Sequence, residues 1–140
     1  MAERKSGYAT GMAGEFYAME RLFRLGHQPA LTLGNAKSID IIVSTKGGKL
    51  KTISVKSARG GGKWPVDSRD LSGEKNLVFV FLLYKDFENV TTDPEVWVMR
   101  AADVESRKGR WFEKSAIYYS HSKLKPEDLE QFRDAWHVIA

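Results

Sequence analysis

The sequence predicts an α/β fold in which a mixed central β-sheet is flanked by helices. Three observations support this prediction: an amphipathic helical pattern near the start, apolar runs of strand length in the middle, and a second helical pattern at the end. The chain has 140 residues, which is the size of one ordinary domain. We therefore expect a single domain spanning residues 1–140.

The first element is a helix from Thr10 to Leu25. Its large apolar residues recur at steps of three and four, which predicts a stripe facing the core: Met12, Phe16, Met19, Phe23, widened by Ala18, Leu22 and Leu25. Gly26 follows as a C-cap glycine would, and Pro29 opposes continuation of the helix.

A β-hairpin follows the helix. A short extended segment covers residues 30–33, and an Ile- and Val-rich strand then runs from Ser38 to Thr45. Gly47 and Gly48 mark a turn, and Lys49 to Ser57 alternates polar and apolar residues. These two runs predict paired antiparallel strands.

The second half of the chain alternates between loop, strand and helix patterns. Gly60 to Gly73 lacks periodicity and predicts a mobile loop. Two core strands are expected after it, Leu77 to Tyr84 and Val96 to Met99, followed by a short helix, Ala101 to Ser106, and a further strand, Ala116 to Tyr119. A terminal helix is opened by Pro126, with Glu127 and Asp128 in its first turn. The apolar residues on one face of this helix are Leu129, Phe132, Trp136 and Ile139.

Composition excludes several classes of function. The chain has no cysteine, so disulfide scaffolds, thiol nucleophiles and Cys-ligated zinc sites are impossible. No apolar run approaches the roughly 20 residues that cross a bilayer, and no N-terminal signal core is present. We expect a cytoplasmic protein with no membrane partner.

Positive charge is concentrated in one stretch. The net charge is only +4, yet the interval between Asp40 and Asp67 contains six basic residues and no acidic one. A hairpin with lysines guarding its edge and a phosphate-binding surface both explain this distribution.

Three charged residues interrupt apolar patterns. Glu15 lies within the apolar arc of the first helix, Asp40 stands between two isoleucines, and Lys56 follows Val55 on the next strand. Burial of Glu15 is costly without a cation, a metal ion or hydrogen bonds, and a salt bridge at the helix rim is the simplest explanation of that residue alone.

The hairpin loop decides whether these residues meet. A three-residue loop pairs Thr45 with Lys49 and sets Asp40 opposite Ser54, with Lys56 diagonally adjacent. A two-residue loop sets Asp40 opposite Val55 and breaks the cluster. In the first register, two carboxylates can hold Mg²⁺ and a lysine can orient a water, which suits phosphodiester hydrolysis.

At these residues the sequence resembles the PD-(D/E)xK superfamily of restriction-endonuclease-like nucleases. The resemblance spans the first half of the chain and rests on Gly14-Glu15-Phe16-Tyr17, Leu33-Gly34-Asn35, Ser38-Ile39-Asp40-Ile41-Ile42-Val43 and Ser54-Val55-Lys56. It implies a restriction-endonuclease-like core, DNA as substrate, and Mg²⁺, or Mn²⁺ as a substitute.

The resemblance also implies a role for each site residue. Asp40 is the central metal ligand, Lys56 the catalytic lysine and Glu15 the helical acid. The chain departs from the pattern at Ser54, where members of the superfamily usually carry Glu, Asp or Gln. A hydroxyl is a weaker ligand for a hard dication, so metal affinity is expected to fall.

Candidate nucleic-acid contacts surround this site. The glycine-rich loop holds Arg59, Lys63 and Trp64, which offer two cations and a stacking ring, although a tryptophan packed into the core explains Trp64 equally simply. Lys49 and Lys51 are expected to face solvent, where they can contact phosphate.

Three functions follow from these features. The first is a metal-dependent endonuclease acting on DNA; the second is a catalytically inactive nucleic-acid-binding module of the same fold. The third is a protein-interaction domain in which the charged residues form a structural ion-pair cluster. Each of these functions is compatible with a homodimer.

Overall fold

A five-stranded mixed sheet forms the centre of the protein. The computed structural model describes residues 2–32, 39–60, 63–66, 76–111, 116–118 and 129–140. Parts of several predicted elements lie outside these residues, among them 33–38 of the proposed motif, 67–73 of the loop and the predicted start of the terminal helix at Pro126.

The elements follow the predicted order. Helix α1 spans Ala2–Arg24 and α2 spans Ala101–Trp111; the strands are β1 Gln28–Leu31, β2 Ile41–Ser44, β3 Leu50–Arg59, β4 Lys63–Pro65, β5 Leu77–Tyr84, β6 Glu95–Arg100 and β7 Ala116–Tyr118. The sheet has the order β1-β2-β3-β5-β6, in which β3 and β5 are parallel and the other neighbours antiparallel. The predicted α/β class is confirmed.

Both faces of the sheet are covered by apolar side chains. On one face, Ala18 and Leu22 of α1 pack over Ile41, Ile53 and Val80. On the other face, Val104 of α2 joins a second cluster with residues of β5 and β6. Seven of the eight residues of β5 are buried, as expected for a strand with a layer on each side.

Helix α1 ends where the glycine pattern predicts. Gly26 has a φ of 91°, and the N–H of His27 donates to the carbonyl of Leu22 at 3.0 Å. The left-handed residue closes the last turn, because glycine adopts this conformation without steric cost.

The apolar stripe predicted for α1 is oriented differently from expectation. Phe16 and Phe23 are 56% and 57% exposed, and Met12 and Met19 are only partly buried. The residues buried against the sheet are Gly14, Ala18 and Leu22, and Met19 is partly buried against the same cluster. The prediction that the stripe faces the core is therefore wrong for Phe16 and Phe23, because the helix packs with Gly14 directly against Ser57 of β3, which turns the two rings away from the sheet.

Beyond residue 130, the predicted terminal helix is replaced by another structure. Residues 129 and 130 are helical, and the following segment runs along β6: the N–H of Val98 donates to the carbonyl of Phe132, and the N–H of Asp134 donates to the carbonyl of Val96. A 3₁₀ turn, Trp136–Val138, follows. Backbone groups that bond to a strand edge are not available to continue a helix.

The segment after Gly60 contains a strand within the predicted loop. β4 pairs antiparallel with β7 in a separate two-stranded sheet. In the part of the chain that the structure describes, no helix is long and apolar enough to cross a membrane.

Candidate functional site

The register of the β2–β3 hairpin is the one that brings the candidate residues together. Ile41 pairs with Ile53 and Ser44 with Leu50, and the N–H of Thr45 donates to the carbonyl of Lys49 at 2.7 Å. The loop therefore has three residues, Lys46 to Gly48, which is the first of the two registers considered. The ladder ends at Ile41, and the preceding Asp40 also donates its N–H to the carbonyl of Ile53, so the predicted placement of Asp40 opposite Ser54 is not part of the ladder.

Asp40 is held at the start of β2 by main-chain hydrogen bonds. Its N–H donates to the carbonyl of Ile53 at 2.8 Å, and its Oδ2 accepts the N–H of Val55 at 2.7 Å. The carboxylate is thus anchored to the neighbouring strand.

Glu15 of α1 lies beside Asp40. Burial, the negative charge of Asp40 and a hydrogen bond with Asp40 together raise the pKa of Glu15 to about 7, burial having the largest effect. A salt bridge would lower the pKa of an acid. The rim salt bridge considered from the sequence therefore does not explain Glu15, whose identified neighbour is a second carboxylate.

Helix α1 approaches the strand closely just before Glu15. A Cβ added to Gly14 would lie 1.8 Å from the Oγ of Ser57 and 3.1 Å from its Cβ. One turn earlier, Thr10 Oγ1 accepts a hydrogen bond from the Nε of Arg59 at 2.6 Å. Both contacts dock α1 onto β3 on the side that carries Glu15.

Ser54 and Lys56 project from the same face of β3. Ser54 is fully buried, and its Oγ has no hydrogen-bond partner. Lys56 is half-buried and lies opposite Phe81 in the parallel pairing with β5. Alternation along β3 turns both side chains to the side of the sheet opposite the one on which α1 packs against Ile53, Val55 and Ser57.

The acidic pair matches the chemistry of a hard dication. A cation beside Glu15 and Asp40 would offset the repulsion between the two carboxylates, and carboxylate oxygens are the ligands that Mg²⁺ prefers. Ser54 carries a buried oxygen without a hydrogen-bond partner on β3. Among the described residues, no group of three or more His, Cys, Asp and Glu side chains is assembled for metal binding. The donor set thus fits a cation held by two carboxylates.

The basic residues predicted to contact nucleic acid differ in their exposure to solvent. Lys49 and Lys63 are exposed. Lys51 Nζ donates to the carbonyl oxygens of Val138 at 3.1 Å and Ala140 at 3.4 Å. This lysine is therefore packed against the C-terminal segment, and the prediction that it faces solvent is wrong.

Arg59 is held on two sides. Besides donating to Thr10, its guanidinium lies 3.8 Å from the ring centroid of Phe87. The sequence carried no signal for either partner, because Thr10 and Phe87 are distant from Arg59 along the chain.

Trp64 is packed in the core. It is 1% exposed, its indole N–H donates to the carbonyl of Leu82 at 2.8 Å, and its ring contacts Phe81 and Trp97. A ring buried in this way does not stack on a base, so the stacking role considered for Trp64 is replaced by the structural role.

Comparison with solved structures supports the fold. The chain is similar to a bacterial homing endonuclease, I-Ssp6803I, with a TM-score of 0.58 and 15% sequence identity, over 94% of this chain and 90% of that one. No family model and no curated protein sequence matches this chain. At this identity the likeness shows a shared fold.

Proposed function

We propose that the protein is a PD-(D/E)xK-type, metal-dependent endonuclease that hydrolyses phosphodiester bonds in DNA. The observation that carries the proposal is the placement of Glu15 beside Asp40, which is anchored to β3 by the N–H of Val55. Lys56 is the next residue of the same strand. The shared fold with a homing endonuclease supports the same function class.

Each residue has a distinct role in this proposal. Glu15 and Asp40 would hold Mg²⁺, with Ser54 as a weak neutral ligand. The bound ion supplies polarisation of a phosphoryl oxygen and a lower pKa for a bound water. Lys56 orients the attacking water and offsets charge that develops on the phosphate. The exposed Lys49 and Lys63 contact the DNA backbone.

The proposal is tested with purified protein and supercoiled, linear and branched DNA, in Mg²⁺ or Mn²⁺. We expect cleavage by the wild type and, for Lys56→Ala, a loss of at least about 100-fold in rate with little loss of DNA binding. Lys49→Ala is the contrasting variant: its binding weakens and depends less on salt, while Lys56→Ala retains the salt dependence. A Lys56→Ala protein that cleaves as fast as the wild type would contradict the assignment.

One observation favours a second function, a catalytically inactive nucleic-acid-binding module. Ser54 places a buried hydroxyl where the superfamily carries a charged or amide ligand. Wild-type protein that binds DNA at low salt and never cleaves it would select this function. Absence of binding to any nucleic acid at low salt would eliminate both functions.

Substitution at Ser54 tests the metal site itself. If the side chain at position 54 reaches the acidic pair, we expect Ser54→Glu to tighten Mg²⁺ binding, measured by calorimetry on folded protein, because it adds a third carboxylate to the set. Ser54→Gln is the matched control, with the same size and no charge. Equal Mg²⁺ affinities in the two variants would count against a metal site at this position.

A further inference from the structure

The part of α1 that precedes the acidic pair has a low intrinsic tendency to form a helix. It contains three glycines, Gly7, Gly11 and Gly14, and glycine is the poorest helix former apart from proline. A Cβ added to Gly7 or Gly11 would meet no neighbouring segment within 4 Å, so the helix stands clear of the sheet at both positions. Tertiary contacts are therefore needed to hold this part of α1 in place.

Thr10 provides such a contact. It is 6% exposed, whereas residues 7–9 before it are exposed. Its Oγ1 accepts a hydrogen bond from the Nε of Arg59 at 2.6 Å. A charged donor makes this bond stronger than one between two neutral groups. The bond attaches the beginning of α1 to the end of β3.

Arg59 is fixed by a second element. Its guanidinium lies 3.8 Å from the ring centroid of Phe87, in the segment between β5 and β6. Just beyond it, the N–H of Gly60 donates to the carbonyl of Tyr84 at 2.8 Å, so the backbone stays joined to β5 past the end of β3. A planar guanidinium can lie over a ring and donate hydrogen bonds at the same time. Arg59 thus connects α1, β3 and the segment after β5.

Glu15 lies between this attachment and the core contacts of α1. Ala18 and Leu22 pack the second half of the helix against the sheet, and Gly14 lies against β3. Glu15 is the residue after Gly14, and its neighbour on the sheet is Asp40. The distance between the two acids therefore depends on a helix that is docked on both sides of Glu15.

We propose that Arg59 is a positioning residue, which fixes α1 on β3 through Thr10 and so places Glu15 beside Asp40. The inference rests on the proposed function for its effect on cleavage, because the acidic pair is the proposed Mg²⁺ site. It assigns Arg59 to the geometry of that site, whereas the sequence predicted a contact with nucleic acid. Loss of the bond between Arg59 and Thr10 lowers the affinity for Mg²⁺ and leaves the affinity for DNA unchanged.

Thr10→Val and Thr10→Ser form a matched pair that tests the bond. Valine has nearly the shape of threonine without its hydroxyl, whereas serine keeps the hydroxyl. We expect half-maximal cleavage by Thr10→Val to need about tenfold more Mg²⁺, the order expected for one charge-assisted hydrogen bond. DNA affinity, measured in EDTA, should equal that of the wild type. Thr10→Ser should restore the Mg²⁺ dependence of the wild type.

Arg59→Gln tests the other partner of the bond. Its Mg²⁺ requirement should rise at least as much as that of Thr10→Val, and the double variant should need no more Mg²⁺ than Arg59→Gln alone, because both changes remove one interaction. Trp64→Phe is the control for lost stability. It alters the core away from α1, so its Mg²⁺ dependence should stay that of the wild type.

Spin labels provide a measurement that needs neither metal nor DNA. The chain has no cysteine, so labels can be attached at Tyr8→Cys on α1 and Leu50→Cys on β3, both at exposed positions. We expect a narrow distribution of distances between the labels with the native Thr10, a broader one with Thr10→Val and a narrow one again with Thr10→Ser. If the wild type never cleaves DNA, the proposed function fails, while the label distances and calorimetric Mg²⁺ binding still decide the role of Arg59.

Two results would overturn the inference. One is a Thr10→Val protein with the label distances and the Mg²⁺ dependence of the wild type. The other is an Arg59→Gln protein that binds DNA more weakly and with less salt dependence while its label distances are unchanged, which would make Arg59 a phosphate contact.

Discussion

At the scale of single residues, the candidate site is marked by two acids whose closeness raises the free energy of the folded protein. Two acids lie together, and Asp40 is fixed by the N–H of Val55 while Glu15 is partly removed from water. Neither burial nor the neighbouring acid favours the charged form of Glu15. Such an arrangement lowers stability in the absence of a cation, which is typical of a site selected for binding and not for folding.

The raised pKa of Glu15 predicts a pH dependence of stability. Its folded-state pKa is about 7 against an ordinary value of 4.5, so the folded state binds more protons between these values than the unfolded state. Stability therefore falls as the pH rises through this window. In EDTA, we expect the melting temperature of the wild type to fall between pH 5 and pH 8.

Glu15→Gln should reduce this decrease and raise the melting temperature at pH 8, because the variant has no carboxyl to ionise. Glu20→Gln serves as the control, since Glu20 is exposed on the same helix and pairs with arginines. A Glu15→Gln protein whose melting temperature changes with pH as steeply as that of the wild type would contradict the acidic pair.

At the scale of elements, the orientation of α1 depends on side-chain size. Gly14 and Ala18 allow the helix to approach β3 so closely that the nearest atoms belong to Ser57. The larger residues at neighbouring positions are turned outward. This close approach also determines where Glu15 lies, because the residue after Gly14 is carried to the sheet edge with the helix.

Two glycines of α1 provide a test of this packing. A Cβ added to Gly11 meets no atom within 4 Å, whereas one added to Gly14 meets Ser57. We expect Gly11→Ala to stabilise the protein by up to about 1 kcal/mol through helix propensity. Gly14→Ala gains the same propensity but is opposed by overpacking of about 1–3 kcal/mol.

Chemical denaturation of both variants measures the difference. Adding Ser57→Gly to Gly14→Ala should recover part of the loss, because it removes both atoms that the new methyl group contacts. Equal stabilities of Gly11→Ala and Gly14→Ala would show that the helix does not pack as closely as described.

At the scale of the whole molecule, contacts distant in sequence connect the layers. Trp64 joins the β4–β7 sheet to the central sheet through its bond to Leu82 and its ring contact with Trp97. The C-terminal segment extends along β6 and contributes Phe132 to one core and Ile139 to the other. Lys51 secures the end of this segment through two carbonyl oxygens.

The role of Trp64 predicts an effect on stability and not on DNA binding. Trp64→Phe removes a buried hydrogen bond and part of the ring, with an expected loss of about 1–3 kcal/mol in the free energy of unfolding. DNA affinity, measured by fluorescence anisotropy, should be unchanged. Lys63→Ala, at the exposed neighbouring position, should weaken DNA binding more than it changes stability. A Trp64→Phe protein of normal stability and weakened DNA binding would restore the stacking role.

The sequence by itself determined the α/β class, most of the strands and the position of the hairpin, for which it left two registers open. These features depend on local signals: alternation in Lys49 to Ser57, the apolar run of β5 and the glycines of the hairpin turn. Asp40 and Lys56 were identified because charges are costly inside apolar strands. Glu15 was identified by its position relative to an apolar arc.

Only the tertiary structure decided which face of α1 meets the sheet, where the C-terminal segment runs and whether Trp64 is exposed. Helical periodicity identifies an apolar stripe but not the distance at which a helix packs, and in α1 the approach at Gly14 leaves no room for a Cβ. The aromatic end of the chain satisfied a helical pattern, yet its backbone groups bond to the edge of β6. Local patterns do not encode such partners, because they become available only when the sheet has formed.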